Sequence, residues 1–93
     1  MTTAPKLVFF YSERSGASRR AEGFLAQVLQ RRSNHETFQL YRVDIDKRPD
    51  LAKRFRVSHV PCFAVVIGKK LEGRLEKPRG CREIESFLSP WLH

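Results

Sequence analysis

The sequence predicts a small α/β domain in the order β-α-β-α-β-β-α, with a four-stranded mixed sheet flanked by helices on both faces. Three observations carry that expectation. Two uninterrupted apolar runs, Leu7 to Tyr11 and Phe63 to Ile67, read as strands buried on both faces. Separate stretches place apolar residues at helical spacing. Behind a Gly68-Lys69 turn, Leu71, Gly73 and Leu75 alternate with charged residues, as a half-exposed edge strand does.

The first strand opens at Lys6, between Pro5 and the polar cluster that starts at Ser12. Ala21, Phe24, Leu25, Val28 and Leu29 then fall at i, i+3, i+4, i+7 and i+8, one stripe of a helix running from Gly16 to Arg32. Ser33, Asn34 and His35 supply a loop. Phe38 to Asp44 forms the second strand, with Tyr41, Val43 and Ile45 on one side and Phe38 and Leu40 close by. Pro49 suits the first turn of a helix, and Leu51 with Phe55 makes an i, i+4 pair, so a short helix is expected from Pro49 to Phe55. Ile84, Phe87, Leu88 and Trp91 form the stripe of a last helix, which begins near Gly80 and is stopped by Pro90. Strands joined through a helix lie parallel with a right-handed crossover, and the last two, joined by a tight turn, lie antiparallel.

A chain of 93 residues makes one domain, 1–93, near the lower limit for folding without metals or a disulfide framework. No apolar run approaches the ~20 residues a bilayer requires. The stretch from Met1 to Pro5 lacks the charged-then-apolar layout of a secretory signal. Two cysteines are too few for a stapled extracellular scaffold. A reduced, cytoplasmic, monomeric protein without membrane association is expected. No cofactor is expected, and no metal, since no Cys or His pair has zinc-ligand spacing.

The charge is lopsided: 18 Lys plus Arg against 10 Asp plus Glu give +8, and 12 of the 18 cations are Arg. Such an excess favours acidic partners or nucleic acid through long-range attraction, and it bears on encounter rather than on fold. Arg31, Arg32, Arg54, Arg56, Lys69 and Lys70 are candidates for a nucleic-acid patch. No helix-turn-helix, zinc-finger or aromatic stacking signature accompanies them.

Several local patterns agree with one family. Leu7-Val8-Phe9-Phe10-Tyr11-Ser12-Glu13-Arg14-Ser15-Gly16-Ala17-Ser18 resembles the thioredoxin active-site segment, where a buried strand runs into a tight loop holding Cys-Gly-Pro-Cys at the start of a helix. Val43-Asp44-Ile45-Asp46 with Pro49, Leu51, Ala52 and Phe55 looks like that family's next strand and helix. Val57-Ser58-His59-Val60-Pro61 looks like its segment ending in a cis-proline beside the active site. The likeness spans nearly all of the sequence, although the strand and helix that open a full-length thioredoxin have no counterpart in it. The resemblance implies strand order 2-1-3-4, with the third strand antiparallel to its neighbours.

The resemblance also implies what has changed. Ser15 and Ser18 fall where the family has its nucleophilic and resolving cysteines, Ala17 replaces the proline between them, and Arg14 replaces the tryptophan that commonly precedes the first. Phe9 falls where typical thioredoxins bury an aspartate that assists proton transfer. A serine hydroxyl cannot supply the thiolate that attacks a disulfide, so dithiol–disulfide exchange is not expected. Without a thiol to serve, a buried carboxylate would carry only its desolvation cost, which an apolar residue removes. At Pro61 the resemblance implies a cis bond that presents the backbone of Val60 to an extended peptide.

Each candidate also has a structural role open to it. Ser15 and Ser18 suit helix N-capping. A serine nucleophile would need a base, and His35, His59 and His93 show no recognisable arrangement with either. Arg14, Arg19 and Arg20 surround a helix N-terminus whose unpaired amides suit an anion, or they form a charged face compensated by Glu13 and Glu22. Cys62 begins a buried strand and behaves as a small hydrophobe there. Cys81 lies near the start of the last helix, where a thiolate could be stabilised. A bridge between the two requires Cα atoms within about 7 Å.

The expected function is a redox-inactive thioredoxin-like module that binds a protein or peptide of acidic character. Its binding residues are Arg14, Ser15, Gly16, Ala17, Ser18, Val60 and Pro61. The alternatives are a single-thiol redox protein using Cys62 or Cys81, and a binder of nucleic acid or another polyanion. Family membership alone would suggest cell redox homeostasis.

Overall fold

The structure, a computed structural model, describes residues 5–31 and 38–91, with the side chain of residue 31 left undescribed. Four strands and three helices follow in the expected order: β1 (Lys6–Tyr11), α1 (Gly16–Arg31), β2 (Gln39–Asp44), α2 (Pro49–Arg54), β3 (Cys62–Ile67), β4 (Lys70–Glu76) and α3 (Cys81–Leu88). The strands make one sheet in the order β2-β1-β3-β4. β1 runs parallel to β2, and β3 is antiparallel to both β1 and β4. The Ser33-Asn34-His35 loop, the expected end of the first helix at Arg32, and His93 lie outside the described residues.

Alternation along the central strands divides the interior into two layers. Leu7, Phe9, Phe63 and Val65 point to one face and pack on Ala21, Leu25, Val28 and Leu29 of α1 and on Ile84 and Leu88 of α3. Val8, Phe10, Cys62 and Ala64 point to the other, where Leu51, Phe55, Val57 and Val60 cover them. Each fully buried aliphatic or aromatic side chain of this kind contributes about 1.5–3 kcal/mol. Helices therefore cover both faces, and β1 and β3 read as unbroken apolar runs because Leu7 to Phe10 and Cys62 to Val65 are buried on both.

β2 is mostly exposed, and Leu40 and Tyr41 stand partly in solvent. Tyr41 does not join Val43 and Ile45, which pack in the α2 layer, because β2 is the outermost strand on that side. Gly68 takes φ +64 at the head of the β3–β4 hairpin, as the first position of a primed two-residue turn requires. Gly73 serves a different need: a Cβ there would lie 3.3 Å from Cε1 of Phe87, so its absence lets α3 close on the sheet.

The expected alternation of Leu71, Gly73 and Leu75 on one face fails. Val65 pairs with Gly73 while Val66 pairs with Leu71, so Glu72 is an extra residue in a β-bulge. The side chain of Leu71 is thereby turned to the face opposite that of Leu75.

Candidate functional site

β1 delivers the chain to a tight turn at the carboxyl end of the parallel pair. Tyr11 is the last residue of β1 and pairs with Asp44, the last of β2. Three hydrogen bonds then lock the turn. The N–H of Ser15 donates to the Ser12 carbonyl at 3.0 Å, and the N–H of Arg14 donates to Ser12 Oγ at 3.2 Å. Ser12 Oγ itself donates to Asp46 Oδ2 at 2.7 Å. The loop after β2 is held in turn by its own Asx turn, with the N–H of Asp46 donating to Asp44 Oδ1 at 2.9 Å.

The two serines of interest have distinct structural roles. Ser15 is the N-cap of α1, its Oγ accepting from the Ser18 N–H at 3.1 Å. Ser18 is not a cap. It sits in the first turn, 2% exposed, and its Oγ accepts from the N–H of buried Ser12 at 3.3 Å. The N-cap position fell to Ser15 because the helix begins at Gly16. Neither hydroxyl bonds to a histidine among the described residues, and His59 is exposed.

The first turn of α1 contains no acidic residue, and no described group accepts from the N–H of Gly16 or Ala17. Arg14, Arg19 and Arg20 are exposed around it. Glu22 does not compensate them: its carboxylate pairs with Arg42 of β2 at 2.6 Å. A cavity of about 380 Å³ beside the turn is lined by Tyr11, Ser12, Glu13, Ser18, Arg19, Glu22 and Arg42. It opens toward β2, and neither Val60 nor Pro61 forms part of its wall.

Val60 and Pro61 nevertheless reach the same end of the sheet. Phe10 pairs with Cys62, so Pro61 directly precedes β3 where Ser12 directly follows β1. The Val60–Pro61 bond is cis. Pro61 is buried and its carbonyl accepts from the Lys77 N–H at 2.7 Å. No described residue bonds to the backbone N–H or carbonyl of Val60.

Phe9 lies within the α1/α3 layer, 1% exposed, stacked on Phe63 at 4.9 Å and on Tyr11 at 5.5 Å. The cysteines are free and on opposite faces of the sheet. Cys62 is buried against Phe10 and Ala64, and that burial pushes its thiol up to about 11. Cys81 is half-buried beside α1, its single S–H within donating reach of Gln27 Oε1 at 3.1 Å and of the Phe24 carbonyl at 3.7 Å. A bridge would have to pass through the sheet. Among the described residues no group of three His, Cys, Asp or Glu side chains is placed to hold a metal ion, and no helix is long and apolar enough to cross a membrane.

Ser12, Asp44 and Asp46 are the parts of this site that sequence reasoning missed. The signal was present in Asp44-Ile45-Asp46, a spacing that suits an Asx turn, but nothing in the chain order tells that Ser12 would lie opposite it.

Comparison with known proteins agrees with the architecture. No protein of curated function matches the sequence. Among solved structures, oxidised mitochondrial thioredoxin 3 from Saccharomyces cerevisiae superposes with a TM-score of 0.78 at 19% identity, over 95% of this chain and 79% of that one. Trxlp from Edwardsiella tarda gives 0.82 at 20% identity, over 92% and 82%. Thioredoxin-2 of the malaria parasite, described as a component of its protein secretion machinery, gives 0.82 at 17% identity, over 97% and 85%. At such identities the likeness establishes the fold. The model of the thioredoxin family matches residues 2–90, and the chain belongs to that family.

Proposed function

We propose that this chain is a thioredoxin-family module that binds an extended peptide and performs no dithiol–disulfide exchange. The observation that carries the reading is the backbone of Val60, which bonds to no described residue and lies at the same sheet end as the loop that carries Ser15 and Ser18. Exchange needs a thiolate to attack and a second to resolve the mixed disulfide. At positions 15 and 18 the oxygens are instead committed to amides of the chain itself. A peptide strand can pair with Val60, as in strand addition. An acidic side chain of that peptide would meet the amides of Gly16 and Ala17, which donate to no described group, and the guanidinium groups of Arg14 and Arg19. The buried, protonated thiol of Cys62 and the helix-side location of Cys81 speak against a single-thiol mechanism at this end of the sheet.

Two measurements test the reading. Insulin reduction in dithiothreitol should run at the rate without protein, both for the native chain and for Cys62→Ser/Cys81→Ser, while Ser15→Cys/Ser18→Cys exceeds it. Turnover by the native chain that disappears with Cys62 and Cys81 would restore the redox role. Amide shifts on titrating a selected extended peptide should include residues 12–19 and 60–62; no shift at those residues would remove the groove.

A further inference from the structure

The bulge in β4 builds a second surface, at the end of β3 away from Pro61. Val66 faces the α2 layer, and the shift after Glu72 brings its partner Leu71 to that face as well. Leu71, 40% exposed, joins Phe55 and Val66 in lining a groove of about 580 Å³ between the end of α2 and the β3–β4 hairpin. The remaining walls are Arg54, Arg56, Lys69 and Arg74, and no acidic side chain lines the groove.

The cations are not equally explained by the fold. Arg74 is held by the backbone, since its guanidinium donates to the Arg56 carbonyl at 3.0 Å and to the Phe55 carbonyl, and Glu76 lies 3.7 Å away. Those carbonyls end α2, where the helix dipole favours a positive charge. Arg56 has no such reason to be arginine. Its backbone is left-handed, φ +56, at the close of α2, where its N–H bonds to Lys53 O at 3.1 Å and that of Val57 to Ala52 O at 2.8 Å. This is a Schellman ending, and glycine takes its left-handed position without steric cost. A strained residue kept at such a place points to a use for its side chain. No described carboxylate forms an ion pair with Arg54, Arg56 or Lys69.

We infer that this groove docks an acidic peptide segment bearing an apolar side chain. Carboxylates meet the cationic walls, and the apolar side chain rests on Phe55, Val66 and Leu71. A nucleic acid fits less well, because the Phe55 ring is packed on Phe10 at 5.3 Å rather than held out as a stacking platform.

The test titrates the full chain with a synthetic eight-residue peptide of alternating Glu and Leu, with its Lys-for-Glu counterpart, and with oligo-dT. The acidic peptide should bind saturably and shift amides of residues 54–57 and 66–74, whether or not it also shifts those of 12–19; the Lys peptide should leave 54–57 and 66–74 unmoved. Arg56→Gly relieves the left-handed strain, so its Tm should hold or rise while affinity falls about three- to fivefold, the loss of one charge contact. Lys69→Glu should weaken binding at least as much. Unchanged affinity in both variants would overturn the proposal, as would shifts confined to residues 12–19 and 60–62. Tighter binding of oligo-dT at the same amides would reassign the groove to nucleic acid.

Discussion

Replacing Ser18 by Ala removes one oxygen from an interior position and leaves the N–H of Ser12 without an acceptor. Both residues are buried, at 2% and 7% exposure, so water cannot take the place of the hydroxyl without opening the turn. An orphaned buried donor costs about 1–3 kcal/mol, and the 3.3 Å separation puts this bond toward the weak end of that range. Alanine returns about 0.5 kcal/mol through its better helix propensity. The net expectation is a loss of about 1 kcal/mol, or a fall in Tm of about 4–8 °C for a domain of this size. Ser15 separates capping from burial. Ser15→Ala should lose about 0.5–2 kcal/mol, Ser15→Gly only a few tenths, and Ser15→Asp should match or exceed the native chain, because it both caps and opposes the helix dipole. Urea unfolding gives the ordering directly, through midpoints at constant m. A Ser18→Ala variant as stable as the native chain, or a destabilised Ser15→Asp, would refute the assignment of these hydroxyls to the backbone.

Three further outcomes follow from the interior. Cys62 should resist alkylation at pH 8 in the folded chain while Cys81 reacts, both reacting in urea; because the folded thiol of Cys62 titrates near 11 and the unfolded one near 9, its stabilising effect is complete below pH 9 and is lost as the pH rises toward 11. The native chain should therefore lose stability across that window more steeply than Cys62→Ala, by up to about 1.4 kcal/mol per pH unit. Phe9→Asp should unfold the chain at pH 7, since deleting a buried Phe costs about 3–5 kcal/mol before the carboxylate is desolvated; circular dichroism should show partial recovery below pH 4, where the carboxyl is neutral. Gly73→Ala should cost about 1 kcal/mol, because the added methyl meets Phe87 at 3.3 Å and the half-buried ring can yield; no change in the unfolding midpoint would show that α3 does not depend on that close approach.

The fold was legible because its decisive signals are local. Apolar runs mark β1 and β3, a stripe at helical period marks α1, and Gly68 marks the hairpin. Ser15 as a helix cap was legible for the same reason, since capping links residues three apart. The framework of the loop was not, because Ser12 and Asp46 are 34 positions apart and meet only after β1 and β2 pair. The second groove was hidden by a subtler effect. Leu71, Gly73 and Leu75 obey a period of two, and a period of two places all three on one face. One unpaired residue, Glu72, breaks that inference and carries Leu71 to the side where Arg54, Arg56 and Arg74 already stand. The bulge leaves no mark in hydrophobic patterning, since Glu72 is charged like Lys70 and Arg74, the residues that alternate with Leu71, Gly73 and Leu75. The same shift that defeats the alternation rule therefore also joins an apolar side chain to a cationic rim, which neither strand nor helix would have assembled alone.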